Sequence, residues 1–207
     1  MNLKRLKQAE EEFLTEYPGG FAHPKMDAIA RKHKMDKMVA LAQDGFARLN
    51  FKSPALIVEN MAKVVSRSSL VSVFEKPKFR DFVQTLPIED KDIVATGLKE
   101  VLYGDEAQGF EKLLTILQSG KVAKWPLMTI CQTYFRPDVE VFIKPTTVKG
   151  VIETFQLEDL HYKPTPSWSF YAAYRDAINE MKSYVDPSLS PSNAAFSGFL
   201  MVSMGWR

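Results

Sequence analysis

PIEDKDIVATGLKEVLYGDEAQGFEKLLTILQSG, residues 87–120, is the stretch that sets the fold class. Pro87 and Asp90 precede Ile93, Val94, Leu98, Val101 and Leu102, whose spacings of three and four trace one face of a helix. Gly104 stops that helix. Asp105, a residue type that caps helix starts, opens a second with Phe110, Leu113, Leu114 and Leu117, which runs to Gly120. Two amphipathic helices joined by so short a link make an αα-hairpin.

The same grammar extends toward the N-terminus. Leu3, Leu6, Phe13, Leu14 and Tyr17 mark a first helix that Pro18-Gly19-Gly20 ends. From His23-Pro24 to Ala47 two short helices are expected, and the cations Arg31, Lys32, His33, Lys34 and Lys37 read as a solvated face near a helix end. Ser53-Pro54, serine as cap and proline at the first helical position, starts a helix with Leu56, Ile57, Met61, Val64 and Val65. Pro77 is expected to open a short one containing Phe79, Phe82 and Val83. No second copy of the pattern recurs at a fixed period.

Toward the C-terminus the character changes at Lys121. Trp125-Pro126 begins an apolar run to Tyr134-Phe135, which Arg136-Pro137-Asp138 terminates. Val139 to Ile143 alternates and is β-branched, the best strand candidate in the chain, although a lone strand needs a partner. Lys144-Pro145-Thr146-Thr147 starts a helix with Val148, Val151, Ile152 and Phe155. After a loop over residues 160–166, Trp168, Tyr171, Tyr174, Ile178, Met181 and Val185 define one buried helical face. For residues 187–207 the pattern predicts a packed last element, helix or strand. The expected fold is therefore mainly α: a multi-helix globular bundle with at most a minor β element near 139–143. It divides into a helical region 1–120 and a module 121–207, which either share one core or form two.

Composition narrows the class. With 207 residues, 45% apolar and 25% charged, the chain can bury a core unaided. No run approaches the ~20 apolar residues of a membrane-spanning helix, and the N-terminus carries charge where an export signal carries an apolar run. The single Cys131 has no intrachain disulfide partner and sits in an apolar helical context, which together predict a cytoplasmic protein. Charge is uneven. Residues 51–80 hold six bases against two acids, and residues 81–120 eight acids against three bases. Adjacent segments of opposite sign make solvated faces or dock on each other.

Motifs for chemistry are sparse. Neither phosphate-cradling glycine pattern occurs, there is no Gly-x-Ser-x-Gly elbow, and His23, His33 and His161 lack zinc-site spacing. No catalytic residue, metal site or cofactor is expected. Asp138, Glu140 and Lys144 are the residue types of a metal-dependent nuclease, but the acid and the lysine lie four apart where that chemistry conventionally uses two. The start of the Thr146 helix, with Thr147, Lys144 and Lys149, offers a seat for an anion, against plain threonine capping. The aromatics Tyr162 and Trp168, beside Lys163 and Arg175, could stack on a base or grip a peptide.

Residues 124–204 resemble a module of uncharacterised bacterial proteins, some encoded with or fused to restriction-type systems that act on modified DNA. Trp125-Pro126-Leu127, Phe135-Arg136-Pro137-Asp138, Phe142 to Thr147, Tyr162-Lys163-Pro164 and Pro166-Ser167-Trp168 with Tyr171 carry the resemblance. The closing segment, Asn193 to Val202, lacks the acid and the tryptophan of that module. The resemblance implies a restriction or defence context; together with the Lys144 to Lys149 helix start and the Tyr162/Trp168 pair it predicts a non-catalytic binding or accessory protein whose C-terminal half contacts DNA or a partner, with Lys144, Thr146, Thr147, Lys149, Tyr162, Lys163, Trp168 and Arg175 as the expected anion- or DNA-binding residues. The opposite-sign segments and helical make-up point instead to a protein-interaction scaffold, with a protein partner or a second copy of the chain. The nuclease is the third alternative.

Overall fold

Trp125–Phe135, the apolar run, forms the helix around which the others gather. Trp125 and every side chain from Leu127 to Tyr134 are buried, as a helix that is apolar all round must be. In the computed structural model, which describes residues 1–205 without the side chains of 27, 28 and 30, the helices in chain order are α1 (Leu3–Glu16), α2 (Asp27–His33), α3 (Met35–Gly45), α4 (Pro54–Arg67), α5 (Glu75–Thr85), α6 (Ile88–Tyr103), α7 (Glu106–Ser119), α8 (Trp125–Phe135), α9 (Pro145–Thr154), α10 (Trp168–Ser183) and α11 (Asn193–Ser203). Among the described residues there is no strand.

α8 packs against α3, α4, α6 and α7. Its polar side chains reach the interior mostly satisfied. The Thr129 and Thr133 hydroxyls donate to the carbonyls four residues back, and Tyr134 Oη pairs with Ser68 Oγ at 2.8 Å. Gln132 differs: it has no exposed surface, and neither Nε2 nor Oε1 has a hydrogen-bond partner. A buried amide left this way costs about 1–3 kcal/mol. Gln132→Leu is therefore expected to stabilise the protein by about 1 kcal/mol or more, read as a rise in the urea midpoint at unchanged slope. A fall in the midpoint would show that the amide is satisfied in solution.

The hairpin of residues 87–120 forms as its pattern predicts. Asp105 Oδ1 accepts from the Gln108 N–H at 3.0 Å, and α6 and α7 make the most extensive helix pair in the chain. Two starts differ from expectation. Ser53 occupies the cap position of α4 without a side-chain capping bond. α5 begins at Glu75 rather than at Pro77, because a proline in the first turn still lacks only an N–H that no intrahelical carbonyl would accept.

The strand expected over 139–143 does not form. Residues 140–144 belong to no regular element, and side chains satisfy much of the backbone instead. Val139 O accepts from Asn179 Nδ2 and Asn193 Nδ2, both at 2.9 Å, the Ile143 N–H donates to Thr129 Oγ1 at 3.2 Å, and Asp138 O accepts from Lys182 Nζ at 2.7 Å. The alternation held only in part: Val141 and Ile143 are buried, but Val139 is 45% exposed and Glu140 has no exposed surface. It reports a segment threaded between α8, α10 and α11, where buried backbone groups must find partners of some kind.

The last element is a helix, α11, with Ser192 as its cap. It packs against α1, α9 and α10, and the Asn2 N–H donates to Phe155 O at 2.7 Å. The first helix thus belongs spatially with residues 145–203, and one cluster of buried apolar side chains runs from Leu6 to Leu200. No helix among the described residues is long and apolar enough to cross a membrane.

Candidate functional site: a basic-rimmed apolar cleft

Two helix starts open onto the same cleft. α8 begins Lys124-Trp125-Pro126 and α9 begins Lys144-Pro145-Thr146, and in both a lysine holds the cap position with no side-chain capping bond. Proline at the first or second position fixes the entry of each helix and removes one N–H that would lack a partner anyway. Across from them runs the loop 69–74, which leads into α5. The cleft has a volume of about 650 Å³, walled by Leu70, Val71, Trp125, Pro126, Pro145 and Tyr162.

Two contacts hold the wall formed by the 160–166 loop. Trp125 Nε1 donates to Lys163 O at 2.8 Å, and Tyr162 packs edge-on against Phe170 with ring centroids 5.8 Å apart. The Lys149 ammonium stands 5.1 Å from the Tyr162 ring centroid, within cation–π range. Ionisable groups lining the cleft are Lys124, Lys144, Glu75 and Tyr162. Desolvation raises the Glu75 carboxyl above its ordinary range, with Lys124 and Lys78 pulling it back, and burial raises the Tyr162 phenol. Val73 and Phe74, 69% and 78% exposed, stand in the loop beside it.

Of the residues expected to form a site, Lys144, Thr146 and Tyr162 line this cleft, and Lys149 joins it through the Tyr162 ring. Thr147 is buried, and its Oγ1 has no partner. Lys163 is exposed and contributes its carbonyl to Trp125. Trp168 and Arg175 go elsewhere. Arg175 lies 5.4 Å from the Trp168 ring centroid and donates to Glu140 Oε1 at 3.2 Å and to Glu106 Oε2 at 2.8 Å.

That second group is a closed ionic network behind the cleft. Glu140 has no exposed surface. It accepts from Tyr171 Oη at 2.6 Å and from both Arg175 and Arg136. Glu106 completes the square, accepting from Arg136 Nη2 at 2.7 Å, while the same Arg136 nitrogen reaches Val101 O at 3.0 Å. Two carboxylates offset two guanidinium groups, as buried charges require. Burial works to raise the Glu106 carboxyl, but hydrogen bonds and charge from Arg175 and Arg136 outweigh it, and the group ends below its ordinary range.

Glu140 is therefore committed to structure while Asp138 and Lys144 are exposed, so the three residue types of the nuclease alternative are not assembled. No group of three or more metal-ligating side chains exists among the described residues. Burial pushes the Cys131 thiol up to about 12, which leaves almost no thiolate at neutral pH. Sequence patterning missed Lys124, Val73 and Phe74. The only signal for the loop was two apolar pairs, Leu70-Val71 and Val73-Phe74, outside any helical period. No family model, curated protein or solved structure matches the chain.

Proposed function

We propose that the chain is a binding protein that holds a segment of a protein partner in the cleft between the starts of α8 and α9. What carries this is the lining: a mostly apolar floor of Trp125, Pro126, Leu70, Val71 and Tyr162, with lysines at the rim and Val73 and Phe74 projecting beside it. Apolar clefts with a few polar groups at the edge suit side-chain anchors, and exposed aromatics next to them suit a protein interface.

DNA contact draws less support. It asks for a positive surface running through Lys144, Lys149, Lys163 and Arg175. Arg175 is offset by Glu106 and Glu140 and its side chain is only 14% exposed.

A photo-crosslinking side chain placed at Phe74 is expected to yield protein adducts in the cells that make the chain. The same group at Glu111, an exposed position in the middle of α7, should yield none. An absence of adducts at Phe74, together with salt-sensitive binding of duplex DNA that Lys144→Ala weakens, would replace this function with the DNA one.

A further inference from the structure

The chain carries two exposed surfaces of opposite charge that do not meet within one molecule. The first is the cleft side, where Val73 and Phe74 accompany Lys78, Lys124 and Lys144. The second is the start of α6, where Ile88 is 61% and Ile93 38% exposed beside Glu89 and Asp92. Positions 88, 89, 92 and 93 share one helix face, since residues four apart are neighbours. None of these lysines and neither acid enters an ion pair among the described residues. The helix dipole accounts for acids in a first turn. It does not account for two isoleucines left in water among them.

We infer that the chain pairs with a second copy of itself, the basic and apolar cleft side of each copy covering the acidic, isoleucine-bearing start of α6 on the other. This rests on the protein-binding reading of the cleft and names its occupant. Charge complementarity chooses it: the cleft side holds Lys78, Lys124 and Lys144 against Glu75, the start of α6 holds Glu89, Asp90 and Asp92 against Lys91, and each has apolar side chains to bury.

The proposed pairing is two-fold. The two surfaces sit at opposite ends of α5, whose 11 residues span about 16 Å at 1.5 Å per residue. A two-fold axis near the middle of α5 would let both contacts form at once. The product is then an isologous dimer, not an open chain of copies.

The test uses the full-length protein in sedimentation velocity, from about 1 to about 100 µM, where mass action resolves a moderate self-affinity. A dimer is expected at low salt, weakening as salt screens the opposed charges. Lys124→Glu/Lys144→Glu makes both surfaces acidic, and Glu89→Lys/Asp92→Lys makes both basic. Each double variant alone is expected to lose at least about tenfold in self-affinity. Mixed in equal amounts, they are expected to form a heterodimer, because each then presents to the other the charge it lacks. A misfolded variant cannot give that recovery.

A wild-type chain that stays monomeric throughout overturns the inference, as does a dimer that neither double variant weakens, or a mixture that fails to associate. If the chain is monomeric but Phe74 crosslinks to a different protein, the self-pairing fails and the protein-binding function stands. If Phe74 crosslinks to nothing, both fail.

Discussion

Gly109→Ala is expected to destabilise the protein by about 2 kcal/mol, although alanine is the better helix former by about 1 kcal/mol. A Cβ at 109 would stand 2.5 Å from Gly97 O and 2.6 Å from Val101 N. Both are backbone atoms of α6, so no rotamer change relieves the clash and the two helices must separate. Overpacking of this kind costs about 1–3 kcal/mol and at times more. It therefore outweighs the propensity gain. The reciprocal change is milder, because a Cβ at Gly97 meets Gly109 O at 3.0 Å and the Leu113 side chain at 3.1 Å. Gly97→Ala should fall within about 1 kcal/mol of wild type. Urea unfolding of both variants separates the effects, and a Gly109→Ala protein as stable as wild type would mean that the hairpin is not clasped through this glycine pair.

The contrast between α7 and the 137–143 segment shows what could be read before folding. Phe110, Leu113, Leu114 and Leu117 on α7, and Tyr171, Tyr174, Ile178 and Met181 on α10, declared both helices and their buried faces, because a helix buries a stripe that its own period writes into the chain. Val139 to Ile143 carried an alternating apolar pattern, of which Val141 and Ile143 are buried and Val139 is exposed, with no means of saying whether a second strand or a set of side chains would take its hydrogen bonds. Asn179, Asn193 and Thr129 decide that, and they are 14 to 54 residues away in sequence. Lys144 and Tyr162 were legible as candidates, and they line the cleft, because a helix start and a loop aromatic are local features. Lys124, Val73 and Phe74 were not, since a cleft assembled from the starts of two helices and the approach to a third exists only after packing. Arg175 looked available for the same reason in reverse: nothing near it in the chain announces Glu140 or Glu106.

Glu140→Ala is expected to carry the largest penalty of any single change considered, about 3–5 kcal/mol, the range found when one member of a buried ion pair is removed and its partners stay charged. Glu140 sits fully inside and ties Arg136 at the end of α8 to Tyr171 and Arg175 of α10. Without it, two guanidinium groups share the single carboxylate of Glu106, and the Tyr171 hydroxyl is left with the longer contact to Val141 O at 3.4 Å. Glu140→Gln keeps an acceptor for Tyr171 but not the charge, so it should recover only part of the loss; full recovery would show that the site needs a hydrogen bond rather than an anion. Acid gives a second handle. The Glu106 carboxyl is held below its ordinary range by Arg175 and Arg136. A depressed acid contributes stability that is complete above the unfolded value and fades as pH falls through the folded one. Unfolding free energy should therefore decline below about pH 4.5, and Glu106→Gln should flatten that decline while lowering stability at neutral pH. The network also governs the cleft. The segment that leaves Glu140 runs through Val141 and Ile143 directly to Lys144 and the start of α9, so freeing Glu140 loosens the wall that a partner must meet. Partner binding is accordingly expected to weaken in Glu140→Gln even at temperatures where the protein remains folded.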